Sequence, residues 1–364
     1  MNTGGKNIAN GVAGLDNLGY LNPSKVVGYG LPRWGKAQSA FVEASTWTSH
    51  DTGATAAYQS LCYSSLLGGL VGTSSTGAGT RTVRSLDGVN WTTGTSAADN
   101  FWIGICESTD TGTLICVSFS GNTNGVQRSI DGGITWSLIT TPTTNAWAAV
   151  CYDSFHKVFI AVSADGVGNR VMRSVDDGIT WASATSAADN DWRGIASSDK
   201  GVVVAVARTG TGNRVMRSTD GGITWTTQVS PADNNWSDIC FASRRNCFYA
   251  VSTNGAGNRV MKGSADGITW ATQASAADNQ WSGICYSPQF DLVVAVANSG
   301  TLNRVMTCSV DGTWVSRTNS VDNTWNCVAA LPDTGRIVAL CDTGALSTTR
   351  SMSSNSAFNC VYTA

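Results

Sequence analysis

A repeat of 44 to 45 residues, four strand-length apolar segments within each repeat, and seven copies of the pattern predict an all-β chain, a seven-bladed β-propeller of four-stranded blades with an irregular N-terminal arm. The period is read from tryptophan. Trp91, Trp136, Trp181, Trp225, Trp270 and Trp314 are 45, 45, 44, 45 and 44 residues apart, and Trp102, Trp147, Trp192, Trp236, Trp281 and Trp325 follow each of them by eleven. A fixed period of this length means one structural unit used repeatedly rather than several unrelated domains.

The unit that begins at Trp192 shows its internal order. Apolar segments cover 192–198, 201–207, 213–218 and 225–229, with Gly, Asp, Asn and Ser between them, so each has strand length and turn punctuation. Val202 to Val206 is continuously apolar, as expected of a strand covered on both faces. First strands are expected to start at Tyr58, Trp102, Trp147, Trp192, Trp236, Trp281 and Trp325. Trp47 and Phe358 lie 44 residues outside the first and last turn tryptophans, giving eight fourth-strand candidates for seven blades. Residues 358–363 are expected to close the last blade, so that the chain ends cover edges that would otherwise pair with other chains. Residues 1–38 stand outside the repeat as an attachment or assembly arm, and 39–364 form the propeller. Met172, Met216, Met261 and Met306 recur at one third-strand position and are expected in the core.

Composition narrows the functions. Charged residues are 13% of the chain, formal net charge is −2, and Glu43 and Glu107 are its two glutamates, so a nucleic-acid partner is not expected. Membrane insertion is not expected either, because the longest apolar run, 201–207, is far too short to span a bilayer. No basic stretch followed by an apolar one opens the chain, so no signal peptide is expected. Cys62, Cys106, Cys151, Cys240 and Cys285 share one repeat position, where Ala196 and Ala329 stand in other repeats. A site that takes Cys or Ala is small and buried, and the thiols are expected to be reduced, as in a protein made in a cytosol. No C-x-x-C pair occurs, and no metal or cofactor is expected.

The stretch ending at each first-series tryptophan reads S-x-D-x-G-x-T-W. Ser129 to Trp136, Ser174 to Trp181 and Ser218 to Trp225 match throughout, and looser copies end at Trp91, Trp270 and Trp314. The motif resembles the Asp-box, or BNR repeat, of sialidase-like propellers over roughly residues 47–358. The resemblance implies a turn between third and fourth strands. Asp87, Asp131, Asp176, Asp220, Asp266 and Asp311 would accept backbone N–H bonds there, and Trp91, Trp136, Trp181, Trp225, Trp270 and Trp314 would pack between blades. It does not bring the sialidase machinery with it. Such enzymes need an arginine cluster, an acid/base Asp and a Tyr–Glu nucleophile, and glycosidases generally need two placed carboxylates. No single blade here gathers acid, base and nucleophile, and His50 and His156 lack a recurring Ser or Cys partner. The chain is therefore expected not to be an enzyme, with a sialidase-like hydrolase as the third reading.

Two further loop patterns repeat. Ser-Ala-Ala-Asp-Asn or a relative precedes the second-series tryptophans, and Gly-x-Gly-Asn-Arg or a relative precedes the third strands. In a propeller both emerge on one face. Asp189, Asn190, Trp192 and Arg170, with Asp233, Asn234, Trp236 and Arg214, and with Asp278, Asn279, Trp281, Arg259 and Arg304, are the candidate ligand residues. Amides, carboxylates and guanidinium groups pair sugar hydroxyls, and a ring of weak sites gains avidity. The same repetition equally describes a belt that fixes blade to blade. Few charges with much Thr, Ser, Gly and Asn resemble surface-exposed viral proteins, and together with the expected absence of a signal peptide and the reduced thiols the combination resembles a tailed-bacteriophage virion protein. The expectation is a non-enzymatic virion decoration, fibre or host-adhesion protein, joined to other virion proteins through residues 1–38 and able to meet a host-surface glycan. A soluble lectin or an assembly-factor propeller is the alternative.

Overall fold

The computed structural model describes residues 44, 46–332, 334–342 and 351–354, and these form seven four-stranded antiparallel sheets arranged as propeller blades. The expected arm over 1–38 lies outside the described residues. Blades are numbered from the sheet that opens at Tyr58. Blade four is representative, with strands Trp192–Ser197, Val203–Ala207, Val215–Ser218 and Thr226–Gln228 in that spatial order. Val203 to Ala207 is fully buried along its whole length, which explains why its sequence does not alternate. The recurrent methionines Met172, Met216, Met261 and Met306 are also fully buried. Each second-series tryptophan opens a first strand and is sealed between neighbouring blades, where an indole removes roughly 150–250 Å² from water.

The ring closes from the N-terminal side, which corrects the expectation for 358–363. Trp47–His50 is the fourth strand of blade seven and runs antiparallel to Ser351–Ser354, with Trp47 opposite Ser354 and His50 opposite Ser351. Trp47 is almost fully buried and its Nε1 donates to the Ala44 carbonyl at 2.9 Å. Trp181 makes the equivalent bond, three residues back, to Gly178 at 3.2 Å. Residues 358–363 themselves lie outside the described residues.

The S-x-D-x-G-x-T-W stretches form the turns between third and fourth strands. In blade two, Asp131 Oδ1 accepts the N–H groups of Ile134 (3.0 Å) and Thr135 (2.9 Å), and Ser129 Oγ accepts that of Gly133 (2.9 Å). The turn thus satisfies its own backbone, as an Asx-type turn does. Blades three and four repeat it with Asp176 and Asp220.

Candidate functional site

The first strands of all seven blades surround an axial channel of about 510 Å³. In every first strand the pairing slips just after the opening aromatic. In blade four Trp192 faces Ala207 but Gly194 faces Val206, leaving Arg193 as the extra residue of a bulge. The glycine is required by proximity, because a Cβ on Gly194 would lie 2.9 Å from Asp238 Cα in the next blade. The bulged residues Gln59, Ile103, Ala148, Arg193, Ser237, Ser282 and Asn326 all line the channel. No two adjacent blades carry the same residue there except blades five and six. In a chain that otherwise copies itself, this column is where the copies part.

A second divergent column adjoins it. The residue after each second strand donates its N–H to the residue before each first strand, as Arg208 does to Asp191 (2.9 Å) and Phe119 to Phe101 (2.8 Å). Around the ring this column reads Ser75, Phe119, Ala164, Arg208, Thr253, Asn298 and Asp342. The bulged residues that line the channel thus have beside them a second column that changes from blade to blade.

The loop residues singled out from sequence do something different. The structure brings the two loop types together, and they bind each other. Asp189 accepts the Gly168 N–H at 2.7 Å, while Arg170 donates to the carbonyls of Gly166 (2.8 Å) and Asn190 (2.9 Å). Asn190 then donates to the Asn213 carbonyl of the next blade at 2.9 Å. Asp233, Arg214 and Asn234 repeat the set; Asp278 and Asn279 do likewise while Arg259 donates to the carbonyls of Gly255 and Thr253, and Arg304 joins Gly300 to Asn323. Gly210 has φ of +109°, and a Cβ there would stand 2.5 Å from Asn190 Nδ2, so the belt also dictates its glycines. Trp192, Trp236 and Trp281 are fully buried, with no indole face left for a sugar.

Charge at the mouth gathers on blade four. Arg193 Nη2 donates to Asp191 Oδ2 at 3.0 Å. Its Nε lies 2.6 Å from Asp191 Oδ1, a close charge contact whose angle is not that of a hydrogen bond. The guanidinium also covers the Phe119 ring at 4.7 Å, reaching past blade three, where Ala146, Ala148 and Ala164 leave room. Arg208 has no such partner. Its Nε is buried without a hydrogen bond. Burial first, and then the Arg193 charge, lower its pKa, with Asp191 acting in the opposite sense.

Blades five to seven and one are sewn together instead. Ser237 Oγ donates to the Trp281 carbonyl (2.7 Å), Ser282 Oγ to the Trp325 carbonyl (2.5 Å), and Asn326 Nδ2 to Gln59 Oε1 (3.2 Å). Asp238 joins this half by accepting the N–H groups of Ile284 and Ile239, both at 2.9 Å. Enclosure by protein outweighs those two bonds and pushes its carboxyl up to about 7, although it keeps some contact with the channel. Cys62, Cys240 and Cys285 line the lower channel, and burial pushes their thiols up, Cys62 to about 12, so they are poor nucleophiles. His156 Nδ1 is bound to buried Asp153 at 2.7 Å.

No protein-family model matches this sequence, and no curated protein matches it. Solved structures do. A streptogramin B lyase superposes with a TM-score of 0.69 at 11% identity, over 84% of this chain and 96% of that one. YCF48 bound to D1 peptide gives 0.60 at 14% identity, covering 84% and 94%, and YCF48 from Cyanidioschyzon merolae gives 0.59 at 13%, covering 84% and 97%. At such identities the likeness is one of fold. It nonetheless corrects the expectation that the chain is not an enzyme, because a propeller of this architecture is a lyase. That expectation sought acid, base and nucleophile within one blade, whereas the channel assembles its side chains one blade at a time.

Proposed function

We propose that the chain is a ligand-recognition propeller whose working surface is the channel mouth ringed by Gln59, Ile103, Ala148, Arg193, Ser237, Ser282 and Asn326. One observation carries the reading. Turns, belt and interblade tryptophans are copied from blade to blade, and divergence concentrates at two adjacent columns around one opening. Copying maintains a fold, while a site for one ligand needs different groups at different angles. Replacing Ile103 with Trp places a bulky plug in the mouth without touching the belt. Arrays of glycans and of peptides should show a binder that this variant loses, and binding unchanged by the plug would overturn the reading. A peptide is the second occupant to test, since a propeller of this fold has been solved bound to one.

The setting we propose is a virion surface, with residues 1–38 as the arm that joins other virion proteins and a host-surface glycan as the outward partner. Its support is composition, with few charges and much Thr, Ser, Gly and Asn. Solution mass tests it: multimers that vanish on deletion of 1–38 favour an assembly arm. Monomers in both cases favour the soluble lectin or assembly-factor alternative.

A further inference from the structure

Resting on the reading of the mouth as the ligand surface, we infer that its blade-four side is a subsite for a single anionic group, a carboxylate or phosphate, received by Arg208 and reinforced by Arg193. Charge on this side of the mouth is unbalanced. Two guanidinium groups and one carboxylate meet there, and Asp191 is already engaged by Arg193. Arg208 is partly buried and has a buried Nε with no acceptor. A partly buried guanidinium with free donors forgoes solvation without replacing it, which is costly unless an acceptor arrives. A carboxylate or phosphate supplies the paired oxygens that match the guanidinium fork.

The surroundings also select. Blades two and three present Phe119, Ile103, Ala146, Ala148 and Ala164 beside the cations, with no acidic side chain in either divergent column there. Asp191 is paired with Arg193, which lies over Phe119, and its one charge is shared by two guanidinium groups. The subsite therefore suits an anion carried on a body with an apolar face. The other ion pairs described on this end of the propeller belong to the repeated belt, whose donors are already used.

Calorimetric titration of the full chain with benzoate, glucuronate and inorganic phosphate tests the subsite, with benzyl alcohol as the uncharged control. Saturable binding of at least one anion is expected, and Arg208→Gln should weaken it about tenfold or more while Lys157→Gln, an exposed cation elsewhere, leaves it unchanged. Arg208→Lys should recover part of the loss, since charge returns without the fork. A preference for benzoate, glucuronate or phosphate assigns the anion to an apolar acid, a sugar acid or a phospho group. Equal binding by wild type and Arg208→Gln, both with native thermal melts, would sink the inference, as would no saturable binding of any anion. A ligand lost on Ile103→Trp but kept on Arg208→Gln would leave the mouth standing and remove the subsite.

Discussion

The belt of Asp, Asn and Arg and the ring of bulged residues lie within a few residues of each other, yet they obey opposite rules. In the belt Asp189, Asp233 and Asp278 each accept one glycine N–H, and Asn190, Asn234 and Asn279 each reach the next blade. These donors find their acceptors in residues that are themselves repeated, so the same set serves wherever the blade is copied. In the ring, Arg193 crosses to blade two, Ser282 holds blade seven, and Ala148 does neither. Repetition thus marks what the propeller needs in order to exist, and divergence at fixed backbone positions marks what one opening needs in order to discriminate.

The comparison presumes a closed ring, and breaking the ring should give the largest effect. Deletion through residue 50 removes Trp47–His50 and leaves Ser351–Ser354 as an open edge. The expected result is loss of a cooperative urea transition, whereas deletion of 1–38 should preserve it. Next comes Trp192→Ala, which empties a fully buried site and should cost about 3–5 kcal/mol in urea unfolding. Its sequence neighbour Arg193→Gln should cost less, about 1 kcal/mol, the loss of a partly exposed pair with Asp191 and of the contact with Phe119. Comparable losses for the two would erase the distinction between the divergent column and the repeated packing. Asn190→Ala should fall between them, at about 1–3 kcal/mol, since it strips a donor from the Asn213 carbonyl.

Much of this was legible in the chain itself. The tryptophan period, the continuous second strands and the S-x-D-x-G-x-T-W turns follow from local chemistry that each blade repeats, so periodicity alone located them. The site was not legible in the same way, because a search for one deviant blade overlooks a deviation shared out at one residue per blade. The available signal was the residue after each second-series aromatic, the least repeated place in a well-repeated strand. What hides its meaning is the bulge, which turns Arg193 towards the axis, and no linear alternation of polar and apolar residues announces that. Ring closure was obscured for another reason: Trp47 and Phe358 are equally spaced from the tryptophan series, so periodicity alone does not choose between them.

The same contrast extends to protons, where its effect is smallest and is one of slope. Burial would raise the repeated turn aspartates, but hydrogen bonds outweigh it. Those from Asn90, Val89 and Ser85 hold Asp87 at about 2, and bonds led by Thr135, Thr180 and Thr224 hold Asp131, Asp176 and Asp220 below the ordinary range. Unfolded aspartates titrate near 4, so this stabilisation is complete above that pH and is lost as the solution is acidified towards 2. Asp238, unrepeated, runs the other way. With its carboxyl at about 7 in the folded chain, the folded state holds a proton that the unfolded state has released between pH 4 and 7, so stability falls as pH rises through that window. Urea midpoints measured from pH 2 to 8 should therefore decline between 4 and 7 more steeply in wild type than in Asp238→Asn, with both declining alike below 4. Parallel profiles across the upper window would mean that Asp238 is ionised throughout, and that its two backbone N–H bonds outweigh its enclosure.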